Sequence, residues 1–210
     1  MNARDLSGIG AGFSDLSTGS QAVFKAALQA MSHPGRLVEL VHDAQVPAAG
    51  HPSSAGLLLA LTDAASRLWL SPSLAASGAA QWLRFHTGCT VVEKPGEAHL
   101  AWMAGPAEML PLASFAQGTD EYPDRSATCI LDVPALAEGG DWLLRGPGIR
   151  NQARLRVGGL PARMAAWFPA RFAAEWAANH ASFPCGVDLF LAAPRLIAAM
   201  PRTARLELET

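Results

Sequence analysis

Three short stretches of this 210-residue chain gather side chains able to hold an anion. Arg84-Phe85-His86-Thr87-Gly88 puts a guanidinium, an imidazole, a hydroxyl and a flexible backbone side by side. A guanidinium grips a phosphate with two parallel N–H donors, and an imidazole exchanges its proton near neutral pH. Arg145-Gly146-Pro147-Gly148 follows a strand-like segment, with Arg150 just beyond, so backbone amides there could approach an anion closely. Pro201-Arg202-Thr203 sets a third arginine in a loop between two apolar segments, where binding residues often sit. The candidate anion-binding set is therefore Arg84, His86, Thr87, Arg145, Gly146, Gly148, Arg202 and Thr203.

Each stretch also has a purely structural explanation. Arginine and histidine favour the negative end of a helix, and Gly88 suits a left-handed cap there. Gly146-Pro147-Gly148 reads equally as a tight turn flanked by exposed arginines, and Arg202 as a solvated residue in a proline turn. The Gly146 stretch is not GxGxxG, because no third glycine follows at the required spacing, and it has no GK[ST]. Asp188, near the start of an apolar strand, needs a salt bridge or a capping role, since burying it alone is costly. No GxSxG elbow is present, and Cys185 after Pro184 reads as a structural thiol. The six histidines are scattered without metal-ligand spacing.

The elements that must position these residues follow from periodicity. Residues 1–19, rich in Gly, Ser and Asp, read as a flexible lead-in to one domain spanning 20–210. Val23, Phe24, Ala27, Leu28 and Met31 recur at helical spacing, with Ser20 as N-cap and Ser32-His33-Pro34-Gly35 as the stop. A short strand over 37–41, a helix from Ser53 to Leu61 and a strand over 67–70 follow. The spacing predicts a helix over 73–84, then a hairpin of 90–93 with 99–103 about Lys94-Pro95-Gly96-Glu97, then a helix over 107–115. Strands are expected at 128–133, 142–144, 187–192, 196–200 and 204–208. From Pro161, Met164, Trp167, Phe168, Phe172 and Trp176 form one helical stripe, kinked or restarted at Pro169 and destined for core or interface. Strands alternating with helices imply an α/β protein, a mixed sheet with helices on both faces.

Composition excludes several classes. A net charge of -2 with no basic run argues against nucleic-acid binding. No apolar run approaches the ~20 residues that span a bilayer, and the first residues lack signal-peptide character. Cys89, Cys129 and Cys185 form no CxxC, so reduced thiols and a cytoplasmic location are expected. Only 16% of residues are charged, against roughly 25% in ordinary domains, so part of the surface is expected to lie against a partner.

Five segments in order, FKAALQAMSHPG (24–35), LRFHTG (83–88), LRGPGI (144–149), FPCGVDLFL (183–191) and AMPRT (199–203), resemble the PhnH family of the bacterial carbon–phosphorus lyase system. The resemblance spans nearly all of the chain after the lead-in. It implies a three-layer α/β/α fold similar to pyridoxal-phosphate-dependent transferases but without that cofactor. It also implies a homodimer that joins PhnG, PhnI and PhnJ, and a supporting role while the ribose triphosphate of ATP passes to an alkylphosphonate with loss of adenine. Independently, pyridoxal phosphate needs a lysine, and the chain has only Lys25, mid-helix, and Lys94, in a turn beside Pro95. An anion-binding enzyme acting alone and a pure scaffold are the alternatives, separated by whether the eight residues converge on one pocket.

Overall fold

The computed structural model describes residues 9–209. Its strands are β1 (Val38–Glu39), β2 (Arg67–Leu70), β3 (Thr90–Val91), β4 (Leu100–Met103), β5 (Thr128–Asp132), β6 (Ala135–Arg145), β7 (Ala153–Gly158), β8 (Asp188–Ala192), β9 (Leu196–Met200) and β10 (Arg205–Leu208). Seven of them form one mixed sheet in the order β1-β9-β8-β5-β4-β2-β3, in which β3, β2, β4, β5 and β8 are parallel and β9 runs antiparallel to both its neighbours. The central strands are apolar at consecutive positions because both faces are covered. Successive side chains point to opposite faces, so Leu68, Trp102 and Ile130 enter one core while Trp69, Met103 and Leu131 enter the other.

The first core lies under α1 (Leu16–Ser32), α2 (Pro52–Leu61), α3 (Pro72–Ala75) and α4 (Ala79–Thr87). The second lies under a different kind of layer. Short α5 (Ala162–Ala165) leads into α6 (Phe168–Ala181), which packs beside a second, three-stranded sheet of order β10-β6-β7. Helices lie on both faces, as expected from the sequence, and the second outer layer adds a sheet to its helices. Pro169 opens α6, as the restart reading anticipated, and Phe168, Phe172 and Trp176 of the aromatic stripe are buried. Trp142 of β6 stacks on Phe172 at 4.6 Å between ring centres, and Trp176 Nε1 donates to Ala204 O at 2.8 Å. Trp167 stays exposed.

Other expectations shift for local reasons. Asp15, not Ser20, caps α1 through its side chain to Thr18 N, so 16–19 of the lead-in are helical, while 1–8 lie outside the described residues. The helix read over 73–84 is two, α3 and α4, broken around Ser77-Gly78. Residues 107–115 hold only 3₁₀ turns, because Pro106 and Pro111 each lack the amide a longer helix needs. Most consequentially, there is no hairpin at 90–103. Strand β2 separates the two segments: Ser66 O and Leu68 O accept from Thr90 N and Val92 N on one side, and Arg67 O accepts from His99 N on the other.

Gly50 adopts φ +78°, and a Cβ there would lie 2.2 Å from Trp102 Cζ2. Gly50→Ala is therefore expected to combine left-handed strain with a clash in the core, about 3 kcal/mol together. A thermal melt should show a midpoint roughly 6–12 °C lower.

Candidate functional site

Open α/β sheets usually bind ligands beyond the carboxyl ends of their strands, where helix N-termini favour anions. Here the chain's own carboxylates take up helix-start amides at that end, beside a cavity of about 270 Å³ lined by His51, Gly105, Asp132 and Met164. Asp132, the last residue of β5, is 2% exposed and reaches the start of α2. Its Oδ2 accepts from His51 N at 2.9 Å, and its Oδ1 from Trp102 Nε1 at 3.0 Å and from the Ser54 hydroxyl in a short contact. Burial holds its carboxyl above the ordinary range, against the pull of the Ser54, His51 and Trp102 contacts. Glu108 does the same for α3, accepting from Ser73 N at 3.2 Å. The His51 ring bonds Val133 O at 3.0 Å and does not touch the Ser54 hydroxyl, so Ser54, His51 and Asp132 form a structural clamp, not a nucleophile–base relay.

The amino end of the same strands is open. Arg67 begins β2, His99 immediately precedes β4, and Ser126 precedes β5; with Asp124 and Arg125 they line a pocket of about 470 Å³. An apolar groove of about 480 Å³ along α1, walled by Phe24, Leu28, Met31 and Leu61, adjoins it and shares His99. Arg67 N donates to His99 Nδ1 at 3.3 Å. That fixes the neutral tautomer with its proton on Nε2, in keeping with a pKa held down by desolvation and by the Arg67 charge.

Behind this pocket stands Arg202. Its guanidinium gives Nε and Nη2 to the two carboxylate oxygens of Asp188 at 3.2 and 2.6 Å. Nη1 donates to Pro123 O at 2.9 Å and Pro184 O at 3.4 Å, and Nη2 also to the Ser126 hydroxyl. All five guanidinium N–H groups are thus engaged within the chain. Asp188 has the salt-bridge partner that its place in an apolar strand demanded.

The eight residues singled out by sequence do not share one pocket. His86 Nε2 bonds Gly10 O at 2.8 Å, Thr87 Oγ1 donates to Leu83 O at 2.7 Å, and Gly88 is the left-handed cap of α4, with Arg84 exposed in its last turn. This group leads into β3, whereas Arg202 joins β8, four strand spacings or about 19 Å away. Arg145, Gly146 and Gly148 close β6, where Arg145 Nη2 donates to Gln152 Oε1 at 3.3 Å. Gly146 packs against Thr203 O, and Gly148 against Ser32 O of the Ser32-His33-Pro34 turn, so the second and third stretches meet and the first stands apart. Sequence reading missed Arg67, His99, Arg125 and Asp132. Only Asp132 left a trace, as an acid closing the apolar run Cys129-Ile130-Leu131.

Among the described residues, no group of three or more His, Cys, Asp or Glu could hold a metal ion, and no helix is long and apolar enough to cross a membrane. Burial drives the Cys129 thiol far above its usual pKa, so it carries no thiolate chemistry.

Comparison with known proteins gives two kinds of match. The family profile described as bacterial phosphonate metabolism protein (PhnH) covers residues 11–207. A protein of Rhizobium meliloti, alpha-D-ribose 1-methylphosphonate 5-triphosphate synthase subunit PhnH, is 38% identical over 94% of both chains. A Stutzerimonas stutzeri protein, putative C-P lyase subunit protein HtxG, is 30% identical over 90% of this chain and 86% of its own.

Proposed function

The chain belongs to the PhnH family of bacterial phosphonate metabolism proteins, and on that premise we propose that it is a subunit of the carbon–phosphorus lyase machinery. Its role is to support the synthesis of an alkylphosphonate ribose triphosphate: a phosphonate oxygen replaces adenine at the ribose carbon of ATP, and the carbon–nitrogen bond to adenine breaks. The observation that carries this reading is the near full-length identity to a synthase subunit. A supporting part in that synthesis is in keeping with the carboxyl end of the sheet, where Asp132 and Glu108 take up amides at two helix starts.

The finer features follow the same reading. A homodimer joined to PhnG, PhnI and PhnJ in the cytoplasm would cover exposed apolar side chains such as Phe85, Trp167 and Phe183, in a chain with only 16% charged residues. A fold akin to pyridoxal-phosphate-dependent transferases, without the cofactor, is supported by the seven-stranded mixed sheet and by the two lysines. Lys25 is exposed on α1 and Lys94 pairs with Glu97 at 3.6 Å, so neither offers a buried Schiff-base nitrogen.

Tagged chain drawn from cells grown on a phosphonate as sole phosphorus source is expected to bring PhnG, PhnI and PhnJ with it. The purified chain alone is expected to release no adenine from ATP and methylphosphonate, while the assembled complex does. Adenine release by the isolated chain at the rate of the complex would overturn the supporting role.

A further inference from the structure

We propose that the amino end of the large sheet binds a small organic phosphate or phosphonate, its anionic group in the Arg67–Arg125 pocket and its apolar or planar body along the α1 groove. The two cavities join at His99, and each falls within the 300–1,000 Å³ of ordinary ligand sites.

The donors suit a tetrahedral dianion. Neither Arg67 nor Arg125 has a carboxylate within ion-pair distance among the described residues. Only Nε of Arg67 is committed, to Glu97 O at 2.6 Å, which aims the guanidinium and leaves its two terminal nitrogens free. Arg125 stacks over the Tyr122 ring at 4.1 Å, a contact that fixes its plane without using its N–H groups. Because His99 Nδ1 accepts from Arg67 N, the imidazole presents Nε2–H as a donor. The Ser126 hydroxyl accepts from Arg202, so its own proton is available to an outside acceptor. Asp124 is the single acid on the pocket lining and pairs with neither arginine. Two guanidiniums and two neutral donors therefore face one cavity, and Asp188, the acid of the adjoining groove, is already neutralised by Arg202.

The groove supplies the second half. Phe24 and Leu28, one helical turn apart on α1, are 52% and 58% exposed beside buried Phe190. An apolar wall opening directly into a cationic pocket matches a ligand with a hydrophobic or aromatic body and a phosphoryl head. The site lies at the opposite end of the strands from Asp132 and Glu108.

Isothermal titration of the full purified chain tests this with ATP and phenylphosphonate as two-part probes, against tripolyphosphate and adenosine as the halves of the first and methylphosphonate as a head group without the ring for the second. At least one two-part probe is expected to bind at least tenfold more tightly than its own truncated forms. Arg125→Gln and Arg67→Gln, both surface changes checked by melting temperature, are each expected to weaken that probe at least tenfold. Leu28→Ser should weaken it while leaving its head group's binding unchanged. Absence of binding by both two-part probes at millimolar concentration would overturn the site. So would affinity unaffected by Arg125→Gln, or both two-part probes binding no more tightly than their head groups alone. The co-purification outcome is untouched by any of these results.

Discussion

Asp132→Ala is expected to remove a large share of the protein's stability, on the order of 4 kcal/mol. The substitution orphans three donors at once, the Ser54 hydroxyl, the Trp102 indole N–H and the His51 amide, in a region where Asp132 is 2% exposed. A buried unpaired donor costs about 1–3 kcal/mol, so the sum is on the order of 4 kcal/mol or more, against a total stability of about 5–15 kcal/mol. Urea unfolding followed by tryptophan fluorescence measures it. Asp132→Asn keeps an acceptor for Ser54 and Trp102 but turns an NH₂ toward His51 N, so it should cost less than alanine while remaining clearly destabilising.

The same carboxyl sets a pH signature. Burial raises its folded-state pKa, so the folded chain holds the proton more tightly than the unfolded chain. Its contribution to stability is complete below the unfolded value of about 3.9 and is lost as pH rises through the folded value. Asn does not titrate. The stability gap between wild type and Asp132→Asn should therefore be widest at low pH and narrow as pH rises from about 4 toward neutrality. A gap that widened over that range would show the carboxyl to be stabilised in its ionised form instead.

Arg202→Ala is the second large effect, and its consequence is local as well as global. The guanidinium ties Pro123 O, Ser126 and Pro184 O to Asp188, and its own backbone N–H bonds Asp188 Oδ1 at 2.8 Å. Its side chain is 14% exposed and that of Asp188 25%, so truncation leaves a half-buried carboxylate without its counter-charge, at a cost of about 3 kcal/mol. The loop that carries Arg125 and Ser126 loses its anchor. Hydrogen exchange should accelerate over 117–127 and 183–187 before the central strands respond. Arg202→Lys places one point charge where a planar fork serves four partners, and it should recover less than half the loss. Fast exchange confined to other segments would remove Arg202 from its role as the positioning residue of the pocket.

Much of this was legible in the chain itself. Arg67 to Leu70, Thr128 onward and Leu196 to Met200 are dense in apolar residues because both faces of their sheet are buried, and such runs announce strands without any neighbour's help. Pro169 marked the start of α6, and Gly88 the end of α4, because ring closure and a missing Cβ act within one residue of their own position. Arg202 does lie in a loop between two strands, where it was read. Its partners were not visible, since Asp188 is 14 residues away and Pro123 is 79.

Pairing and convergence belong to the tertiary structure alone. The residues 90–93 and 99–103 look like a hairpin because Pro95-Gly96 is a good turn, yet the edges of β2 claim both strands. Nothing within a dozen residues reports that competition. β7 went unread because Ala153–Gly158 alternates arginines with modest apolar residues, and only the long β6 beside it gives that pattern a partner. The joint pocket of Arg67, His99 and Arg125 exists because parallel strands bring their amino ends to one level, however far apart they lie in sequence. By itself the sequence determined the family, the alternation of helix and strand, and the turns where glycine and proline act locally. Which carboxylates take up helix-start amides at the carboxyl end, which arginine is consumed and which two remain free were decided by packing, because hydrogen bonds between distant segments form only once the sheet has set their distance.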